Sequence, residues 1–205
     1  MLKRNFLAQV LFAVMLVPAM AFADANAQRP EDVIQQATAS LRGELEGVSA
    51  QLREDSALML GLVQRHVAPH VDFERIARRV VGKQWTDAST AQRQRLVTEL
   101  RTMMFRAYSN AIGGLVDSAI EYGESKRSRS GKTAMVPTTV VRAATQRLSM
   151  KYYLYHSDAG WRLFDIAVEG VSMLRIYKST FKSRMDNDGL DGLIEHLVAA
   201  NLTHG

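Results

Sequence analysis

The apolar residues of this chain change period twice, and that change limits its architecture more than any other feature. From Pro30 to Gly113 they recur three and four positions apart; from Ser118 to Val168 they alternate; beyond Ser172 helical spacing returns. That order predicts helices, then consecutive antiparallel strands, then helices. The fold class is α+β: an antiparallel curved sheet of about four strands, its apolar face covered by N-terminal and C-terminal amphipathic helices.

Local signals place the elements. Pro30-Glu31-Asp32 starts a helix, with proline in the first turn and acids at its positive end, and Val33, Ile34, Ala37, Leu41 and Leu45 follow as its stripe. A second helix covers about 56–67 and ends before Pro69, and a third covers 72–81, with Gly82 placed to stop it. Ser89 and Gln92 have capping-box spacing and open the longest helix, about 90–113, with Gly113-Gly114 as its break. Ser118 to Gly123 reads as a first strand and Lys126 to Lys132 as a basic hairpin loop. Two strands follow, alternating at Ala134, Val136, Thr138, Val140 and at Leu148, Met150, Tyr152, Leu154. A tight turn, Ser157-Asp158-Ala159-Gly160, leads into the Trp161 strand.

The first residues read as a secretory signal peptide. Lys3 and Arg4 form a basic start, Phe6 to Val17 is almost wholly apolar, and Ala21-Phe22-Ala23 offers small residues at the cleavage positions. The apolar run is too short to span a bilayer. With no cysteine, a lipoprotein anchor is excluded and no disulfide braces the fold. Cleavage after Ala23 leaves one domain at 24–205, helical over about 30–115 and meander plus C-terminal helices over about 116–205. Losing Lys3 and Arg4 lowers the formal charge from +5 to +3, a mild excess that permits weak attraction to anionic surfaces. Ten methionines and few aromatics suggest an adaptable interior.

Several short motifs carry a family resemblance. Pro69 to Trp85 contains Pro-His-Val-Asp-Phe followed by Gly82-Lys-Gln-Trp85; Gln92-Arg93 opens the long helix and Tyr108 stands late in it. Glu169-Gly170-Val171-Ser172-Met173 and Gly189-Leu190-Asp191-Gly192-Leu193 complete the order. In sequence, behind a signal peptide and without cysteine, these resemble the MlaC, or toluene-tolerance, family of periplasmic phospholipid-binding proteins over nearly the whole mature chain. Two departures are visible: Val81 where leucine is frequent, and Arg175-Ile176-Tyr177-Lys178 after the Gly-Val-Ser turn. Neither removes apolar volume.

The resemblance implies an internal cavity that takes the acyl chains of a glycerophospholipid, no cofactor and no catalysis. It implies a soluble periplasmic carrier in the Mla pathway that maintains outer-membrane lipid asymmetry. The partners implied are an inner-membrane ABC lipid transporter with a lipid-transfer subunit and an outer-membrane lipoprotein–porin complex. The carrier itself is expected to be a monomer without stable membrane insertion. The expected lipid-binding residues are Tyr108, Ile112, Leu115, Val116, Val136, Val140, Met150, Tyr152, Val168, Gly170, Val171, Met173, Leu174 and Tyr177. Pattern alone reads the same stripe as ordinary packed core. Gly170 is expected to let the chain turn at a strand end, and Ser172 to cap the following helix.

Other chemistries find little support. His66 and His70 are four apart, but Pro69 breaks the helix that would align them and no third ligand is in sight, so no metal site is expected. Gly131-Lys132-Thr133 resembles the end of a phosphate loop, yet Lys126 stands where its first glycine is needed. An exported chain has no nucleic-acid partner. Lys126, Arg127, Arg129 and Lys132 form a basic cluster, read as a solvated hairpin tip or a docking point. Two alternatives stay open: an envelope adaptor without ligand, and an enzyme using Asp165 and Glu169, which share a strand face by parity.

Overall fold

The computed structural model describes residues 28–48, 55–116, 118–143 and 146–203; the signal-peptide reading of residues 1–23 lies outside them. Helix α1 is Pro30–Leu45, with Asp32 reaching back to the Arg29 N–H at 2.9 Å. Helix α2, Ser56–His66, is capped by Asp55, which accepts the N–H groups of Ala57 and Leu58. A 3-10 turn at Ala68–His70 leads to α3, Phe73–Val81, where Asp72 accepts the Arg75 N–H at 2.9 Å. The short α4, Gln84–Asp87, buries Trp85, and Arg93 ties it down by donating Nε to the Trp85 carbonyl at 3.0 Å.

Helix α5 is Thr90–Val116. Its start has the expected reciprocal cap: the Gln92 N–H donates to Ser89 Oγ at 3.2 Å and the Ser89 N–H to Gln92 Oε1 at 2.9 Å. Its end corrects the sequence reading, because the helix runs through Gly113 and Gly114 instead of breaking there. A helical glycine costs only about 1 kcal/mol relative to alanine and does not forbid the hydrogen-bond ladder.

The sheet is antiparallel throughout. Its main strands are β1 Ala119–Tyr122, β3 Thr133–Ala143, β4 Gln146–Ser157 and β5 Gly160–Val168, with two-residue pieces β2 Lys126–Arg127 and β6 Val171–Ser172. The order is β1-β3-β4-β5-β6, with β2 also paired to β3. The basic hairpin therefore begins as a strand, and Arg127 lies over the Trp161 ring at 5.4 Å. The gap between β1 and β2 lies against Pro137: the Gly123 N–H donates to the Pro137 carbonyl at 2.9 Å, and proline has no N–H with which to continue a ladder.

One irregularity sets the site. Tyr153 pairs with Asp165, but Leu154 pairs with Leu163, so Phe164 is an extra, bulged residue in β5. Residues facing one another in an antiparallel pair share a face. The register thus puts Val136, Tyr152 and Ile166 on one face together with Thr138, Met150 and Val168.

After β5 the chain turns at Glu169-Gly170, with φ +48° and +81°; the second value is the left-handed conformation expected of Gly170. Helix α6, Met173–Thr203, then covers the sheet edge and kinks at Gly189, where φ is +67° and ψ −164°. Both pieces fall where helical spacing returns in the sequence beyond Ser172.

Two apolar clusters hold the fold. The larger joins the helices through Leu41, Leu45, Met59, Val63, Ile76, Leu100, Phe181 and Leu193. The smaller lies between α1 and the sheet and contains Val33, Ile34, Ala134, Val136, Leu154, Trp161 and Leu163.

Candidate functional site

Between α5, the start of α6 and the sheet lies a cavity of about 320 Å³, the size of a small-molecule pocket. Helix α5 contributes Met104, Phe105, Tyr108, Ala111 and Ile112. The sheet contributes Leu148, Met150, Leu163, Phe164, Asp165, Ile166 and Val168, and α6 adds Met173, Leu174 and Tyr177. Val67, Val71, Phe73 and Ile76 close the remaining side.

The walls are apolar because each element turns its stripe inward, and local contacts fix where each stripe lies. The Asp72 N–H donates to the Leu163 carbonyl at 2.8 Å and Val71 bridges Leu163, which seats the start of α3 on β5. Phe73 and Phe105 meet edge to face at 5.2 Å, locking α3 to α5. Tyr177 stacks on Phe181 at 5.8 Å.

Polar groups at this site are few and occupied. Among the described residues Asp165 is the sole charged one in the lining. Its Oδ1 accepts the Leu174 N–H at 2.9 Å and its Oδ2 the Ser172 hydroxyl at 2.6 Å, while Ser172 Oγ accepts the Arg175 N–H at 3.1 Å. Ser172 is therefore the expected helix cap, and Asp165 completes it from the strand. Tyr177 holds its proton far above the ordinary phenol range, chiefly because it is buried and further because it hydrogen-bonds Tyr108. Tyr108 on α5 and Tyr177 on α6 thus bring two phenols together within an otherwise apolar wall.

The structure brings together Tyr108, Ile112, Met150, Val168, Met173, Leu174 and Tyr177 of the expected residues. It does not bring Val136, Val140 or Tyr152 to the wall. Val136 is fully buried under α1 in the smaller core, Val140 is fully buried on the same strand, and Tyr152 packs against that core with its hydroxyl 3.7 Å from the Met150 sulfur. All three share the cavity's sheet face, but other residues fill the space in front of them. Gly170 serves the turn, and Val171 is 52 % exposed on β6. The side chains of Leu115 and Val116 lie outside the described set.

Sequence reasoning missed Phe105 and most of β5. Met104 in α5 and Phe73 and Ile76 in α3 carry a signal in the sequence, since each falls on the apolar stripe of its helix at three- and four-residue spacing. In β5 the bulge hides Ile166, whereas Leu163 keeps the phase of Trp161. The carboxylate pair of the enzyme alternative is not assembled: Asp165 caps α6, while Glu169 is exposed outside the cavity and accepts the Ser149 N–H at 2.5 Å. Among the described residues no group of three or more His, Cys, Asp or Glu could hold a metal ion. No helix in that set is long and apolar enough to cross a membrane.

Comparison with known proteins agrees on one lineage. A family model described as MlaC protein matches residues 35–199. The toluene tolerance protein ttg2D of Pseudomonas putida is 23 % identical over 179 residues, spanning 87 % of this chain and 83 % of that one. The intermembrane phospholipid transport system binding protein MlaC of Haemophilus influenzae is 20 % identical over 168 residues, spanning 80 % and 78 %. Among solved structures, a phospholipid-binding protein of Ralstonia solanacearum, in complex with a phospholipid, superposes with a TM-score of 0.76 at 21 % identity. That match covers 86 % of this chain and 99 % of the other.

Proposed function

From the premise that this chain belongs to the MlaC family, we propose that it carries glycerophospholipid and that the apolar cavity holds the acyl chains. The observation that carries the reading is a dry wall in which Asp165, the one carboxylate among the described lining residues, is already spent on capping a helix. Two acyl chains hold roughly 30 methylenes, so exposing them to water costs on the order of 20 kcal/mol or more. A carrier has only to match the apolar environment of a bilayer, and exchange then runs near thermoneutral. Direction comes from partners: an inner-membrane ABC lipid transporter on one side and an outer-membrane lipoprotein–porin complex on the other, with the periplasm between. Met104, Met150 and Met173 suit chains of varied length because methionine repacks at little cost.

The adaptor alternative calls for a filled interior, which the cavity argues against. The enzyme alternative has its two carboxylates turned to structural bonds.

Native mass spectrometry of protein purified without detergent tests the carrier reading. One phospholipid mass per chain is expected, and a circular-dichroism-normal Met150→Glu variant should run bare, because an unpaired charge in a dry cavity is too costly to coexist with lipid. A wild-type mass that stays bare after incubation with liposomes would overturn the reading.

A further inference from the structure

The outer side of α3 carries an arginine surface that the cavity does not use. Arg75 lies 3.6 Å from the Tyr155 ring centroid and 5.5 Å from that of Phe164, and Arg79 lies 4.6 Å from Phe164. Arg162 is paired with Tyr155 across the β4–β5 ladder, so it joins the same face, and Arg78 is exposed beside them on α3. Among the described residues none of these four arginines forms an ion pair, Glu74 of α3 included as a candidate. The Arg75 Nε is buried without a hydrogen-bond partner. Mutual repulsion is felt at the site: burial first, then Arg75 and Arg78, lower the Arg79 pKa from its ordinary value, with Asp165 only partly opposing them.

We propose that this face, Arg75, Arg78, Arg79 and Arg162 over Tyr155 and Phe164, docks on an acidic surface of a partner protein. Stacking on rings fixes the guanidinium planes before any partner arrives, and a fixed planar fork matches protein carboxylates two bonds at a time. A bilayer surface is the poorer fit. Interfacial binding draws on exposed apolar anchors beside the basic groups, and the exposed large apolar residues among those described, Val171, Ile176 and Leu202, belong to β6 and α6. The position has a use for a carrier, since the Phe164 ring under Arg79 is also cavity wall; to that extent the proposal rests on the carrier reading.

The test is fluorescence anisotropy of a labelled polyglutamate peptide with the purified protein, at low salt and at about 0.3 M salt, where screening is strong. The expected result is binding at low salt that salt abolishes. Arg78→Glu with Arg79→Glu should weaken it about tenfold or more, while Lys126→Glu with Arg129→Glu in the hairpin leaves it within about twofold. No peptide binding at low salt, equal loss in the hairpin variant, or preferential binding to phosphatidylglycerol vesicles would overturn the proposal. Native mass spectrometry of the α3 variant separates the two readings: it should keep its lipid, and a wild type without lipid would count against the carrier and not against the arginine surface.

Discussion

At one end of the sheet Val136, Leu154 and Trp161 are packed shut beneath Val33 and Ile34 of α1. At the other end Leu148, Met150, Ile166 and Val168 line a cavity under α5 and the start of α6. Both sets lie on one face of one sheet, and Leu163 borders both. The alternation that builds the two ends is the same. What differs is the helix laid over each: α1 presses branched aliphatics directly into the sheet, whereas α5 and α6 face it across the cavity with the Tyr108 and Tyr177 rings in the wall. Apolar pattern decides that a face is buried; the cover decides whether it is filled.

The sharpest way to break this comparison is to delete the same kind of volume at both ends. In lipid-free protein, Leu154→Ala should cost about 2–5 kcal/mol of unfolding free energy, because it opens a new void in a closed core. Met150→Ala should cost clearly less, about 2 kcal/mol or below, since it enlarges a space that already exists and loses mainly the transfer free energy of the removed atoms. Equal losses in denaturant titrations would mean that the cavity end is also packed.

Alkaline titration probes a tyrosine from each end. Burial, with Tyr122 adding, pushes the Tyr152 phenol up to about 12, and Tyr177 is shifted in the same direction. Both folded values lie above the unfolded one near 10. Their contribution is therefore complete below about pH 10 and lost as pH rises towards and through the folded values, because the unfolded chain releases its protons first. The denaturation midpoint should fall between about pH 9 and pH 11, and fall less in the Tyr152→Phe, Tyr177→Phe double variant. An unchanged drop in that variant would assign the effect to other groups.

The smallest change concerns the junction. Ser172→Ala should cost about 1 kcal/mol through the lost cap. It should leave lipid content unchanged, as read by native mass spectrometry, because Asp165 still accepts the Leu174 N–H.

Much of this was legible in the sequence. The change of period gave the order of elements, Ser89 and Gln92 marked the start of α5, and Gly170 and Ser172 marked the strand-to-helix turn. Helical cavity residues such as Tyr108, Ile112 and Leu174 could be named because a stripe points one way along a whole helix. On the sheet the same logic named Val136, Val140 and Tyr152, which share the correct face but are covered and do not line the cavity. Nothing local to a strand tells which helix will cover it. In β5, counting by two from Trp161 reaches Asp165 and passes over Ile166, because the extra Phe164 has no mark in the sequence.

That extra residue makes β5 a strand with two phases. Trp161 and Leu163 keep odd time and Ile166 and Val168 keep even time, yet all four face the same way. Deleting Phe164 would remove the bulge and leave Trp161, Leu163, Ile166 and Val168 alternating in a single phase on the face they already share. The cost of such a deletion is therefore local, the loss of one ring that walls the cavity and carries Arg79, and a one-residue gap at this point in a relative leaves the face of the strand unchanged.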